Sequence, residues 1–203
     1  MGKRWWRQRK KDYYYRLAKK EKYYSRAAYK LIQLNKKFKL IRRGNVVLDL
    51  GAAPGGWSQV AIKLVGSKGK VVAVDIKKMK PLKYENFSFI QGDFTDPKIQ
   101  KKIKEITEGG VDVIISDASP SLSGIKDLDH IRSIELCKSV INIAKNVLKR
   151  GGNLVVKVFQ GPEFKNLLDE LKNEFKYVKA SKPPSSEKSS AEIYVVAKYF
   201  VGP

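Results

Sequence analysis

Asp49-Leu50-Gly51-Ala52-Ala53-Pro54-Gly55-Gly56-Trp57 stands where a short apolar run, Val46–Leu50, gives way to an amphipathic segment, Trp57–Val65. A buried strand, a Gly-rich turn and a helix open many α/β sheets, and in an open sheet that turn lines the ligand crevice. Glycine permits positive φ and a close approach of backbone to ligand, and Pro54 stiffens the turn. Gly51, Pro54, Gly55 and Gly56 are therefore candidate cofactor-binding positions. The G-x-G-x-x-G spacing of dinucleotide sites and the G-K-[ST] ending of a phosphate loop are both missing, which points to a nucleoside cofactor without a phosphate chain.

Outward from this turn the same alternation continues. Ser25–Phe38 reads as a helix, with Ala27, Leu31, Leu34 and Phe38 at helical spacing. Downstream come the strands Val71–Asp75, Phe87–Gln91, Val111–Ser116 and Asn153–Phe159. Between and after them fall the helices Lys98–Glu108, Ile131–Leu148 and Glu163–Phe175. The chain closes with Tyr177–Ala180, a polar loop over Ser181–Ala191 and the run Ile193–Phe200. Alternating strands and helices predict an α/β fold with a mostly parallel sheet and helices on both faces. Two strand-end acids suit the crevice. Asp75 has the placement of a residue that accepts ribose hydroxyls. Asp93, in Gly92-Asp93-Phe94, could accept from an adenine amino group with Phe94 beside the ring, although Gly-Asp is also ordinary turn chemistry.

A chain of 203 residues with 42% hydrophobic content holds one well-buried domain. We divide it into a basic, aromatic arm over 1–24 and a catalytic domain over 25–203. The formal charge is +22, and residues 1–43 carry 17 Lys and Arg against Asp12 and Glu21 alone. Such an excess favours a polyanion, RNA above all, through phosphate contact and counterion release. Trp5, Trp6, Tyr13, Tyr14, Tyr15, Tyr23 and Tyr24 interleave with that charge and could stack on unpaired bases; packing of these rings on the domain is the alternative. No apolar run approaches the ~18 residues of a membrane span and no signal-peptide core follows Met1, so a cytoplasmic protein without membrane contact is expected. The lone Cys137 excludes an internal disulfide, and the lone His130 makes a metal site unexpected. No spare apolar helix face stands out, which leaves a monomer as the expectation.

Five ordered segments together resemble the FtsJ family of heat-shock-associated ribosomal RNA 2′-O-methyltransferases. They are DLGAAPGGWSQ over Asp49–Gln59, Gly92-Asp93-Phe94, DVIISDASPSLSG over Asp112–Gly124, GGNLVVKVFQG over Gly151–Gly161 and SSAEIYVVA over Ser189–Ala197. The resemblance implies a Rossmann-like methyltransferase fold with a seven-stranded sheet whose last strand is antiparallel. It also implies S-adenosylmethionine as cofactor, with Gly55, Trp57, Asp75, Asp93 and Asp117 among its contacts. The family's lysine–aspartate–lysine–glutamate tetrad falls on Lys30, Asp117, Lys157 and Glu192. One departure is Ala118-Ser119-Pro120, where bacterial members carry a methionine before Ala-Pro; it should alter local packing more than chemistry.

The residues themselves support a working lysine. Lys157 sits inside Leu154-Val155-Val156-Lys157-Val158-Phe159, where an unpaired ammonium would be costly, so it needs a partner or a task. Lys157 could serve as general base toward a ribose hydroxyl or could only position it, with Asp117 and Glu192 orienting the lysines. The implied substrate is a uridine of the large-subunit (23S-type) ribosomal RNA, within a large ribosomal subunit. Alternatives are transfer RNA, a non-catalytic RNA-binding ribosome-assembly module, and a nicotinamide-dependent oxidoreductase, the last opposed by the missing fingerprint and the charge.

Overall fold

In the computed structural model, which describes residues 12–187 and 189–202, the helices are α1 (Tyr13–Lys20), α2 (Ala28–Phe38), α3 (Gly56–Val65), α4 (Pro97–Ile106), α5 (Lys126–Val147) and α6 (Phe164–Glu174). The strands are β1 (Val46–Leu50), β2 (Lys70–Asp75), β3 (Phe87–Gln91), β4 (Val111–Ser116), β5 (Leu148–Phe159), β6 (Phe175–Ser181) and β7 (Glu192–Phe200). They form one seven-stranded sheet in the order β3-β2-β1-β4-β5-β7-β6. β1 to β5 pair in parallel, whereas β7 runs antiparallel to both β5 and β6. Trp5 and Trp6 lie outside the described residues.

Alternation along each strand divides the core in two. Val113, Ile115, Val155, Tyr194 and Val196 face α2 and α3, packing with Leu31, Leu34, Trp57 and Ala61. Ile114, Leu154, Val156, Val158 and Val195 face α4, α5 and α6, packing with Ile103, Val140, Ile141, Leu167 and Leu171. Each such side chain taken fully from water contributes about 1.5–3 kcal/mol. Because every parallel strand points the same way, the turns after β1, β2, β4 and β5 gather at one edge. β7 starts at that edge because it runs the other way, and Glu192 pairs with Phe159 at the end of β5.

Element ends depart from expectation where tertiary contacts supply what periodicity does not. α2 begins at Ala28 rather than Ser25, because Ala28, Tyr29 and Lys30 donate to carbonyls three residues back and close a tighter first turn. α5 begins at Lys126 rather than Ile131; its first-turn Asp129 accepts from Ser123 N, Ser123 Oγ and Gly124 N and ties the preceding loop to the helix. β5 begins at Leu148 rather than Asn153, because Leu148 pairs with Val111 across an irregularity that Lys149-Arg150-Gly151-Gly152 does not advertise. The Ser185–Ser190 loop is fastened: Gln33 Oε1 accepts from both the nitrogen and the hydroxyl of Ser185, and Arg26 donates to its carbonyl.

Residues 12–24 contain α1, capped by Asp12, whose carboxylate accepts from Tyr15 N at 3.2 Å. The segment lies on α2 and α3. Ala18 is buried, Tyr14 and Tyr23 pack on Tyr29, and Gln59 accepts from Tyr24 N while donating to the Lys22 carbonyl. Asp12 and Arg26 form an ion pair. Tyr13 remains largely exposed.

His130 and Cys137, for which no chemistry was expected, support β5. Glu163 N donates to His130 Nε2 at 3.1 Å, so the proton sits on Nδ1, which donates to the Phe159 carbonyl at 2.8 Å. The Cys137 thiol donates to the Lys157 carbonyl at 3.1 Å, and burial pushes that thiol up to about 12.

Gly51 shows how tightly the edge is built. It has φ +75°, and a Cβ there would stand 2.5 Å from Ala118 Cβ and 2.8 Å from its Cα. Ala118 thus packs directly against the glycine turn. Gly51→Ala combines left-handed strain with a collision against backbone and is expected to cost about 2–4 kcal/mol, lowering Tm by roughly 5–15 °C in a thermal melt. A melting temperature equal to that of wild type would show that the two turns are not in contact.

Candidate active site

The candidate side chains collect at the edge where β1, β2, β4 and β5 end and β7 begins. Strand alternation aims Lys157, Tyr194 and Asp117 at the face covered by α2, and α2 presents Lys30 to them. Both lysines are buried, each 8% exposed. Lys157 Nζ donates to the Asp117 carbonyl at 2.8 Å and lies 3.3 Å from Asp117 Oδ1 and 3.6 Å from Glu192 Oε1. Lys30 Nζ donates to the other Glu192 oxygen at 3.1 Å. The four residues expected from widely separated positions are thus one connected, charge-neutral group.

Neutrality matters because an isolated buried ion is so expensive. Removing one partner of a buried pair typically costs about 3–5 kcal/mol, whereas the complete pair is near break-even against an apolar replacement. Stability alone gives little reason to bury two lysines and two acids here; placement beside a crevice gives a chemical one. Burial works to raise the Glu192 carboxyl, but the ammonium groups of Lys30 and Lys157 outweigh it and hold the group below its ordinary range. Glu192 therefore stays ionised at neutrality and lends stability that is lost only as pH falls through its lowered value.

Tyr194 belongs to this group and was not singled out from the sequence. Its hydroxyl donates to Asp117 Oδ1 at 2.5 Å, its ring lies 5.6 Å below Lys30 Nζ, and Trp57 packs against it at 5.7 Å. Burial first, and then the Asp117 carboxylate, push this phenol well above its ordinary value, so it acts as a fixed donor. The available signal was its position two residues beyond Glu192, which puts both on one face of a strand.

The cofactor turn carries a second set of acids. Asp75 accepts from Ala53 N at 2.9 Å and Lys77 N at 2.7 Å, one bond on each oxygen, which fixes the carboxylate and leaves each oxygen a further lone pair. Gly55 has φ +111°, and a Cβ there would press within 3.0 Å of Met79 and Tyr24; Pro54 is exposed at the tip of the turn. Gly56 and Trp57 open α3, where backbone N–H groups have no helical partner and can receive an anionic group. The Trp57 side chain itself is spent inside, donating from Nε1 to the Ala27 carbonyl at 2.8 Å.

Two expectations about the adenine side read differently in three dimensions. Asp93 is exposed, and its Oδ1 accepts from both the nitrogen and the hydroxyl of Thr95, which is turn chemistry and leaves Oδ2 for a ligand. Phe94 is 6% exposed and belongs to the buried cluster of Ile90, Ile99 and Ile103, so its ring supports the turn from beneath instead of standing open beside a base.

Asp49 is the second residue whose importance was missed; the motif containing it was read for its glycines. It is 1% exposed. Its Oδ2 accepts from Ser58 Oγ at 2.6 Å, while Oδ1 is buried with no partner among the described residues. Burial, then the neighbouring Asp117 and Asp75 carboxylates, raise it to about 7, against the lowering effect of Ser58. In a chain of formal charge +22, three acids thus surround the glycine turn. Such a lining repels phosphate and suits a cationic nucleoside ligand.

An acid-lined crevice without a phosphate cradle, at the strand ends of a sheet in this order, is the construction of Rossmann-like S-adenosylmethionine-dependent methyltransferases, whose donor carries a sulfonium and an ammonium. The chain belongs to the FtsJ-like methyltransferase family, whose model matches residues 23–200. It is 57% identical over 202 residues to the ribosomal RNA large subunit methyltransferase E of Methanothermobacter thermautotrophicus, covering all of this chain and 96% of that protein. The Archaeoglobus fulgidus protein of the same name is 56% identical, with 94% and 97% of the two chains covered. A Plasmodium falciparum crystal structure described as that of a ribosomal RNA methyltransferase superposes with TM-score 0.81 at 36% identity, over 89% of this chain and 100% of that one. Aeropyrum pernix fibrillarin with bound S-adenosyl-L-methionine shares the fold, with TM-score 0.59 at 17% identity over 84% and 75% of the chains.

The unpaired oxygen of Asp49 makes the apo protein sensitive to pH. Between the ordinary carboxyl value of 3.8 and about 7 the folded chain holds a proton that the unfolded chain releases, so stability declines as pH rises through that window. Asp49→Asn abolishes the titration. Its Tm relative to wild type is expected to rise by about 3–8 °C between roughly pH 4.5 and 7.5 without cofactor. Parallel pH profiles for the two proteins would mean that this carboxyl ionises freely.

Proposed function

We propose that the chain methylates the 2′-hydroxyl of a uridine in the large-subunit ribosomal RNA, working as a cytoplasmic monomer on RNA within a large ribosomal subunit. The broader activity, S-adenosylmethionine-dependent methylation of ribosomal RNA, is that of its family and its close relatives. Among the described residues, no helix is long and apolar enough to cross a membrane.

The observation that carries the reading is the convergence of Lys30, Asp117, Lys157 and Glu192 beside the cofactor turn. A hydroxyl acceptor must be aligned with the methyl group and must shed its proton as the new O–C bond forms. Bound S-adenosylmethionine supplies an electrophilic methyl on positively charged sulfur. Asp75, Asp117 and the N–H groups opening α3 would hold it, with Asp93 at the adenine end. Lys157 then faces the ribose oxygen, either as the base that accepts the hydroxyl proton or as a donor that only positions the hydroxyl. Glu192 holds both lysines, and Tyr194 fixes the Asp117 carboxylate, so that the nitrogen has one place to stand.

Lys157→Ala is expected to slow methyl transfer by roughly 10²–10⁴-fold, with S-adenosylmethionine affinity by calorimetry unchanged. A variant turning over at the wild-type rate would remove Lys157 from the reaction. The substrate is read from radiolabelled methyl incorporation by the purified protein into large ribosomal subunits, free ribosomal RNA and transfer RNA, followed by mapping of the modified nucleotide. Label is expected at a uridine ribose of the large-subunit RNA. Incorporation into transfer RNA alone, or binding without incorporation, would overturn that assignment.

A further inference from the structure

Away from the tetrad, a continuous groove runs between the exposed side of α3 and the β2–β3 connection over residues 76–86. It comprises two adjoining cavities of about 400 and 640 Å³ that share Lys63, Lys83 and Tyr84. Tyr24 and Gln59 line its upper end, and Tyr24 abuts Gly55 of the cofactor turn. The β2–β3 connection carries Lys77, Lys78, Lys80 and Lys83 against the single acid Glu85. Tyr84 is 50% exposed, and among the described residues no other ring stacks on it. Lys80 Nζ lies 5.8 Å from the centroid of the Tyr24 ring, and Lys63 Nζ 4.3 Å from that of Tyr23.

We propose that this groove binds an unpaired segment of the RNA substrate flanking the target nucleotide, with a base stacked on Tyr84 and phosphates held by Lys63 and Lys83. This rests on the RNA substrate proposed above and adds where the strand runs. Flat tyrosine faces alternating with ammonium groups match the two repeating parts of a single strand, base and phosphate, and offer no donor–acceptor code that would demand a sequence. A duplex presents its bases stacked and paired and cannot use Tyr84. A lipid surface would call for a protruding apolar rim, and Tyr84 is set among lysines in a depression. The upper end meets Tyr24, which abuts Gly55 of the glycine turn and stands four residues before the helix that carries Lys30, so the groove begins beside the candidate site.

The probes are a short fluorescein-labelled single-stranded RNA and its duplex form, titrated into the full chain by anisotropy over a range of salt. Tyr84→Ala is expected to weaken single-strand binding by roughly 5- to 150-fold, and Tyr84→Phe to restore it to within about twofold. The pair Lys63→Gln and Lys83→Gln should flatten the slope of log K against log salt by about 1.4. S-adenosylmethionine affinity, measured in parallel, should be unchanged in all variants, which reports an intact fold. If wild type methylates ribosomal RNA yet Tyr84→Ala binds the single strand as well as wild type, the groove assignment is wrong and the RNA reading stands. Equal losses for duplex and single strand would exclude the stacking role. A wild-type chain that neither binds nor methylates RNA would overturn the RNA reading and the groove with it.

Discussion

Two lysines inside an apolar sheet edge can exist only because two carboxylates accompany them. Lys157 has its charge met by the Asp117 carbonyl and by the Asp117 and Glu192 carboxylates, and Lys30 has its charge met by Glu192. That mutual requirement ties α2, β4, β5 and the start of β7 to one another at a fixed separation. It explains why β7 must run against β5: only an antiparallel strand brings its first residue to the edge where the parallel strands end. Tyr194, reached by the same alternation, closes the arrangement by fixing Asp117. The neutral group contributes little net stability of its own, and its value lies in the geometry it enforces.

The cofactor side follows the opposite electrostatic course. Asp49 and Asp75 stand near Asp117 with no ion pair of their own among the described residues, and there Asp49 keeps a buried oxygen without a partner. Burial of that oxygen penalises its charged form, and the carboxyl answers by holding its proton more tightly. A strongly basic chain thus keeps a cluster of acids around its glycine turn.

Much of the fold was legible because burial on both faces forces apolar Val, Leu and Ile runs in central parallel strands, and β1 and β4 were bounded from those runs. Boundaries failed where pairing or side-chain caps replaced periodicity, as at Leu148 against Val111 and at Asp129 over Ser123 and Gly124. The tetrad was legible through resemblance and through the oddity of a lysine in an apolar strand. Tyr194 and Asp49 escaped because a tyrosine in a strand and an acid before a glycine turn are ordinary in one dimension. Phe94 was misread because the side of a turn that a ring takes depends on the packing of Ile99 and Ile103 from a different element.

By itself, then, the order of residues determined the alternation of strand and helix, the place of the glycine turn and the excess of positive charge, since each is a matter of local pattern or composition, while the four charged residues were reached through resemblance. Only the folded chain decided which oxygen each ammonium meets, that Tyr194 holds Asp117, that Asp49 is left unpaired, and that the tyrosines near the start of the chain divide between packing and an open groove. The physical reason is that charge and periodicity are carried along the chain, whereas desolvation and hydrogen-bond partnership depend on neighbours that arrive from elsewhere in it.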